Sequence, residues 1–127
     1  MGVKYLSEEW AKAVTDAVNS SDAFKQQAAG KSVKLQYVIA APDGEVKYFT
    51  DLKDGQAQVG IGEIEGPEAT LSSDYETSGA LFRNELNATA AYMSGKLKIQ
   101  GDLMRLMQLQ GLVNTIPEAT KDIDVEY

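Results

Sequence analysis

The 127-residue chain is long enough for one domain with its own hydrophobic core, and 43% of its residues are hydrophobic. It contains no cysteine and no histidine, which excludes disulfides, thiolate chemistry and the imidazole groups on which most zinc sites and general bases depend. The net charge of −7, with lysines and arginines scattered among acids, argues against a nucleic-acid-binding role.

The first predicted element is an amphipathic helix. Ser7 is a candidate N-cap, because its hydroxyl can accept a hydrogen bond from a free amide of the first turn. A shorter helix is predicted over 23–29 and ends at Gly30, a residue that favours helix C-termini. The apolar stripe of the first helix recurs at helical spacing and comprises Leu6, Trp10, Ala13, Val14, Ala17 and Val18.

The period then changes to two, which is typical of half-buried strands. A first strand begins at Val33, and the turn sequence PDG at 42–44 returns the chain as a second strand over 45–52. A second turn, KDG, leads to a third strand over 56–62, and a short fourth strand is predicted over 68–72.

Two helical segments are predicted after these strands. Ser73 and Glu76 have the spacing of a capping box for a helix over 75–86, whose inward side chains are predicted to be Leu81, Phe82 and Leu86. Asn87 is a candidate cap for a further turn or two that ends at Gly95. A strand over 95–101 follows, with Leu97 and Ile99 on one face.

The last predicted helix is unusually apolar. Asp102 caps it, and it runs from Leu103 to about Asn114. Six of its apolar residues cover an arc of roughly 220°, wider than the stripe a surface helix needs: Leu103, Met104, Leu106, Met107, Leu109 and Val113. Arg105, Gln108 and Leu112 occupy the remaining sector and are predicted to face solvent.

Gln110 projects from the middle of that apolar face. A buried amide needs a hydrogen-bond partner. The interpretation favoured by the pattern is a bond to a backbone carbonyl or a trapped water, and the alternative is that Gln110 lines a cavity and meets the polar end of an apolar ligand. Methionines at 93, 104 and 107 are most simply core residues, although methionine also suits sites with variable contents.

The element order predicts an α+β fold, an antiparallel sheet with helices on one face, as a single domain over 1–127. The acidic segment 115–127 is predicted to be a loosely ordered tail. The N-terminus lacks a signal-peptide pattern and no apolar run is long enough to span a membrane, so a cytoplasmic protein is expected.

The segment LFRNELNATAAYMSGKLKIQGDLMRLMQLQGLV, 81–113, resembles the signature of the sterol carrier protein type 2 family. The match rests on the GKLKI run, on Gly101 followed by Asp102, and on the Leu109-Gln110 pair. Asn84, Ala88 and the Met107-Gln108 pair depart from the usual pattern. The C-terminal VEY is not a peroxisomal tripeptide.

This resemblance implies a five-stranded, mainly antiparallel sheet covered on one face by helices and enclosing an apolar tunnel. The tunnel would hold a sterol, a fatty acid or a fatty acyl-CoA non-covalently, with no catalytic residue, cofactor or metal, and with transient contact to a membrane or a lipid-handling enzyme. The residues expected to contact the lipid are Trp10, Phe82, Leu86, Met93, Ile99, Leu103, Met104, Leu106, Met107 and Gln110.

Two alternatives stay open. An accessory or dimerisation module with an empty tunnel is one of them, and the oligomeric state is left open with it. The other is a small isomerase-like α+β enzyme, which requires a carboxylate buried on an apolar inward face so that its pKa is raised. Asp51 and Asp74 are its candidates, but they are interpreted as a strand-end turn and a helix cap.

Overall fold

A computed structural model of the chain describes residues 2–83, 85–86, 88–113 and 115–126. The two short terminal strands pair in parallel, and the other five strands form one sheet. In chain order the elements are β1 (Val3–Lys4), α1 (Glu8–Asn19), α2 (Asp22–Ala28), β2 (Val33–Ala41), β3 (Gly44–Lys53), β4 (Gln56–Ile61), β5 (Ala69–Asp74), α3 (Tyr75–Phe82), α4 (Ala88–Met93), β6 (Lys98–Gly101), α5 (Leu103–Gln108), α6 (Gln110–Val113), α7 (Ile116–Thr120) and β7 (Val125–Glu126).

The five-stranded sheet has the strand order β4-β3-β2-β5-β6. All neighbouring strands in it are antiparallel except β2 and β5, which are parallel. The prediction of an α+β fold with a five-stranded, mainly antiparallel sheet is therefore confirmed. The parallel pair requires a long connection, which the hairpin formed by β3 and β4 supplies.

Two tight turns build the β2-β3-β4 meander, as the sequence predicted. The first places Pro42 and Asp43 between the paired residues Ala41 and Gly44. The second uses Asp54 and Gly55, which both adopt positive φ angles, 51° and 82°. This backbone twist matches that of the flanking strands, and the sequence Asp-Gly favours it.

One face of the sheet is apolar and forms the floor of the core. Strand register places Leu35, Tyr37 and Ile39 of β2 on this face, beside Thr50, Tyr48 and Val46 of β3. The buried side chains of α1 and α2 belong to the same hydrophobic cluster. The predicted alternation along the strands is therefore also the alternation between core and outer face.

Helix α1 covers this floor and is fixed to the sheet edge by two polar side chains. Ser7 caps it by accepting a hydrogen bond from the amide of Trp10, as predicted. Thr15 Oγ1 accepts from the amide of Val59, and Asn19 both accepts from and donates to the backbone of Ala57. These bonds to β4, each contributing about 1 kcal/mol, satisfy backbone groups of an edge strand.

Helix α3 differs from its prediction at both ends. Its N-cap is Asp74, which accepts from the amide of Thr77, so the predicted capping box at Ser73 is wrong. The helix ends at Phe82 instead of continuing to 86, and Phe82 and Leu86 are half-buried. Asn87, the candidate cap of the next helix, lies outside the described residues, as does Asn114 at the predicted end of the last helix.

The predicted long C-terminal helix is two short helices. Asp102 caps α5 by accepting from the amide of Arg105, as predicted, but the helix ends at Gln108 and α6 begins at Gln110, after the C-cap Leu109. Leu112, predicted to face solvent, is 5% exposed and belongs to the core, as does Leu109. The side chain of Gln110 lies outside what the structure describes, so its predicted position stays a prediction.

The segment expected to be a loosely ordered tail forms α7 and β7. Ile116 and Ile123 pack against the core, and β7 pairs with β1 at the other end of the chain. The prediction relied on the acidic composition and overlooked these apolar residues, which hold the segment against the rest of the protein.

Candidate functional site

An aromatic cluster occupies the core between α1 and the sheet. Trp10 lies at its centre and is 1% exposed. Its indole makes edge-on contacts with the rings of Tyr5, Tyr48 and Phe82, with centroid separations of 5.1, 5.1 and 5.4 Å. Tyr48 also stacks on Tyr37 at 4.4 Å, with the two ring planes 3° apart. Such contacts hold the rings in defined positions.

A small cavity lies against this cluster, with a volume of about 60 Å³. Its walls come from α1, α2, the three strands of the meander, the end of α3 and the start of α7, and every lining side chain is uncharged. The lining residues are Trp10, Val14, Val18, Phe24, Tyr37, Tyr48, Thr50, Ala57, Val59, Phe82 and Ile116.

Three tyrosine hydroxyl groups belong to the aromatic cluster. Tyr5 Oη lies 2.6 Å from Ser78 Oγ. Burial raises the pKa of Tyr48 well above the ordinary value, the neighbouring Tyr5 and Tyr37 raise it further, and Ser78 has a smaller opposing effect. Burial likewise raises the pKa of Tyr37, against an opposing effect of Thr50. Both phenols are therefore neutral at physiological pH.

A second space, a surface cleft of about 340 Å³, is also lined by Phe82. The cavity and the cleft therefore share this residue in their walls. In contrast to the cavity, the cleft has charged walls. Its other lining residues are Arg83, Pro117, Thr120, Lys121, Ile123, Asp124 and Val125.

The structure brings two of the ten predicted contact residues, Trp10 and Phe82, to the cavity. Leu106 packs against the core from its edge. Ile99 is half-buried and paired with Leu71 on the inner sheet face, and Leu86 is also half-buried. None of these last three lines the cavity.

Four predicted contact residues lie on the surface. Met93, Met104 and Met107 are 79%, 69% and 63% exposed, and Leu103 is 36% exposed. Successive α-helical residues are about 100° apart, so Leu103, Met104 and Met107 share one side of α5. In this structure α5 therefore presents apolar side chains to solvent, where the sequence pattern had placed them toward a buried ligand.

Most residues that line the cavity were not among the predicted ligand contacts. Val14 and Val18 belong to the predicted stripe of α1, and Tyr37 belongs to the predicted apolar positions of β2. The signal was therefore present as periodicity. It gave no indication of which core positions border a space, because the space depends on residues such as Ile116 that are distant in sequence.

The groups needed for the enzyme alternative do not meet in this cavity. Its described walls include no aspartate or glutamate. Asp74 is exposed, and its pKa is lowered chiefly by the hydrogen bond from the Thr77 amide, the opposite of the rise that a buried general base requires. Within the described residues, no group of three or more acidic side chains is placed to hold a metal ion.

The described helices include none that is long and apolar enough to cross a membrane.

Comparison with protein families matches residues 11–114 to the SCP-2 sterol transfer family. Stomatin-like protein 1 of Mus musculus is 37% identical over 83 residues, which are 64% of this chain and 21% of that protein. The chain thus spans about a fifth of the length of this curated relative.

Solved structures share the fold. A crystal structure of sterol carrier protein 2 superposes with a TM-score of 0.80 at 20% identity, covering 94% of this chain and 99% of that one. The solution structure of palmitated SCP2L2 from Aedes aegypti has a TM-score of 0.62 at 21% identity, covering 83% of this chain and 88% of that one. At these identities the likeness establishes the architecture alone.

Proposed function

The chain belongs to the SCP-2 sterol transfer family, and from this we propose that it binds one apolar lipid, a sterol, a fatty acid or a fatty acyl-CoA, and transfers or presents it. The observation that carries the proposal is the uncharged, aromatic-walled cavity between α1 and the sheet. Palmitate is the group named for the Aedes aegypti structure of this fold, which supports an acyl chain as one cargo.

Burial of an acyl chain supplies the binding energy in this proposal. Each methylene removed from water contributes about 0.8 kcal/mol, and an apolar interior discriminates poorly between chains of similar shape. Broad specificity for apolar cargo follows, with selectivity left to the outline of the cavity and its few polar groups.

The cavity must enlarge before it can hold a lipid. Its volume of about 60 Å³ is well below the roughly 300–1,000 Å³ of typical ligand sites. Phe82 lines both the cavity and the cleft, and Ile116, another lining residue of the cavity, lies at the start of the five-residue helix α7. We infer that the lipid enters from the cleft as Phe82 and α7 move outward, which joins the two spaces into the tunnel expected of the family.

The proposal is tested by native mass spectrometry and solvent extraction of the purified protein, which should reveal a bound lipid. Trp10 is the only tryptophan in the sequence, so its fluorescence reports on the cavity directly. Addition of 9,10-dibromostearate to the delipidated protein should quench it, whereas stearate should not. Absence of a copurifying lipid together with absence of quenching would refute lipid binding in the cavity.

A variant supplies the matched control. Trp10→Phe combined with Met107→Trp places the single tryptophan on the exposed side of α5. Dibromostearate held in the cavity should quench this variant much less than the wild-type protein. Equal quenching in both proteins would place the lipid outside the cavity and contradict the proposed site.

Delivery of the cargo requires contact with a membrane, and the exposed side of α5 supports such a contact. The segment 88–113 contains three of the twelve basic residues of the chain and one of its nineteen acidic residues. Lys96 and Lys98 in it are exposed. A segment that exposes methionine, leucine and lysine suits an anionic bilayer surface, which would cover the apolar side chains and attract the cations.

Co-sedimentation with vesicles that contain phosphatidylserine tests this contact. Lys96→Glu with Lys98→Glu, and separately Met104→Ser with Met107→Ser, should weaken vesicle binding. Lys12→Glu with Lys25→Glu changes the net charge equally on α1 and α2, where both lysines are exposed, and should have a smaller effect. If both charge variants lose vesicle binding equally, the effect depends on net charge alone and the proposed local contact surface is refuted.

A second candidate function is that of an accessory module within a larger assembly. It is favoured by the curated relative, of whose length the chain spans about a fifth. An accessory module with an unfilled cavity should purify without lipid and leave Trp10 unquenched. The lipid measurements above therefore separate the two functions, and sedimentation velocity would show whether the chain dimerises in the absence of lipid.

A further inference from the structure

The indole N–H of Trp10 is the one buried side-chain donor or acceptor without a hydrogen-bond partner in the part of the chain that the structure describes. The side chain is 1% exposed, so bulk water does not serve the N–H. Buried polar groups in proteins are nearly always paired, because an unpaired one loses its hydration without compensation. The N–H has almost no accessible surface of its own, but Trp10 lines the cavity, so a ligand would reach this donor when the cavity enlarges.

The hydroxyl of Tyr5 is engaged with that of Ser78, 2.6 Å away. What surrounds the indole most closely is a set of aromatic rings, whose faces are weaker acceptors than an oxygen atom. An oxygen that entered the cavity would therefore improve the environment of the Trp10 N–H.

The charge of such a ligand group is limited by the same walls. None of the described lining side chains carries a charge, and the phenols of Tyr37 and Tyr48 are neutral at physiological pH. An ionised carboxylate or phosphate would lose its hydration here without a cation to compensate, which is strongly unfavourable. A neutral oxygen loses far less and gains the indole donor.

We propose that Trp10 donates a hydrogen bond to a neutral oxygen at the buried end of the cargo, a hydroxyl or an ester or ketone carbonyl. The rest of the cargo then extends past Phe82 toward the cleft. This inference rests on the proposed lipid-binding function and narrows it, since it assigns the cavity to neutral lipids with one polar end. A lipid with an ionised head must bind in the reverse orientation, with its head in the cleft.

The test compares two ligands that differ in acceptor strength, decan-1-ol and 1-chlorodecane, by displacement of the neutral dye Nile red. Trp10→Phe keeps an aromatic ring but removes the donor. It should weaken decan-1-ol binding about threefold to tenfold, the range of a net hydrogen bond, and change 1-chlorodecane binding less than twofold. Circular dichroism confirms that the variant is folded.

Phe24→Leu is the matched control, because Phe24 lines the same cavity and has no donor. It should change the affinities of both ligands by the same factor. If Trp10→Phe also weakens both ligands equally, or neither, the hydrogen bond is refuted and Trp10 is only a packing residue. If Nile red does not bind, or neither ligand displaces it, the proposed lipid-binding function itself fails.

An independent measurement follows the hydrogen bond directly. The single tryptophan gives one indole N–H signal in a ¹H–¹⁵N correlation spectrum. Decan-1-ol should move its proton resonance downfield, and 1-chlorodecane should move it much less. Equal shifts with both ligands would overturn the proposal even if the affinities differed.

Discussion

Replacement of Phe82 by alanine should open the interior cavity to the cleft. The Phe82 ring lines both spaces and touches Trp10 and Tyr5, with centroid separations of 5.4 and 5.8 Å. Each such aromatic contact is worth about 0.5–1.5 kcal/mol beyond the burial of its area. Loss of both contacts favours the open arrangement, in which the cavity and the cleft are joined, over the closed one. The equilibrium constant changes about tenfold if the two contacts contribute about 1.4 kcal/mol in total.

The same substitution lowers stability. Truncation of a fully buried phenylalanine costs about 3–5 kcal/mol. Phe82 is half-buried, so we expect a decrease of about 2 kcal/mol in the free energy of unfolding. Urea denaturation followed by circular dichroism measures this decrease, and stopped-flow fluorescence measures the rate at which Nile red enters the delipidated protein.

The expected result is faster entry, by about tenfold, together with the lower stability. Tyr75→Ala is the control, because Tyr75 is half-buried and contacts Tyr5 at 5.5 Å but does not line the cavity. It should lower stability without changing the entry rate. An unchanged rate of Nile red entry in Phe82→Ala would refute the idea that this ring separates the two spaces. An equal increase of the rate in both variants would show that entry depends on the lower stability and not on this ring.

Three further predictions concern stability. Burial raises the pKa of Tyr48 in the folded state above 10.0, so the stability that depends on its neutral phenol is complete below pH 10 and decreases as pH rises further. Thermal unfolding should therefore show a smaller decrease in stability at alkaline pH for Tyr48→Phe than for the wild-type protein. Asp74→Ala removes the bond to the Thr77 amide and should cost about 1 kcal/mol in urea at pH 7; because the folded pKa of Asp74 lies below 3.8, the difference from wild type should shrink as pH falls below that value. Gly101→Ala should cost more than about 2 kcal/mol, because φ is +109° and the new Cβ would lie 2.5 Å from the carbonyl oxygen of Glu68; a loss below about 1 kcal/mol would show that the backbone adjusts freely.

Local sequence signals predicted the elements whose stabilising contacts are themselves local. The N-caps Ser7 and Asp102 each bond an amide three residues away, so the pattern within one turn was sufficient to find them. The two-residue turn at Asp54 and Gly55 was likewise predictable, because Asp-Gly tolerates the positive φ angles that a tight hairpin requires. Alternation within β2 predicted the burial of Val33, Leu35 and Ile39. It did not predict that of Gln36, whose amide bonds the backbone of β3 and of the segment after β4.

Features that depend on distant residues could not be predicted in this way. The pairing of β1 with β7 joins Val3 to Val125, and no local sequence pattern predicts a strand partner so far along the chain. The ring contacts of Trp10 with Tyr48 and Phe82 depend in the same way on the complete tertiary structure. The cavity and its unpaired donor arise from these contacts, so neither could be located from periodicity.

The last helical segment shows that a local apolar pattern does not decide which side of a helix faces the core. The prediction placed Leu112 in solvent and the apolar arc over a buried ligand. In the structure Leu109 and Leu112 are buried, whereas Met104 and Met107 are exposed. Two distinct apolar regions result, an enclosed one around Trp10 and an exposed one on α5. In the proposed function the enclosed region would hold the cargo and the exposed region would give transient access to the bilayer. The Trp10 and Met104 variants should therefore affect lipid binding and vesicle association independently.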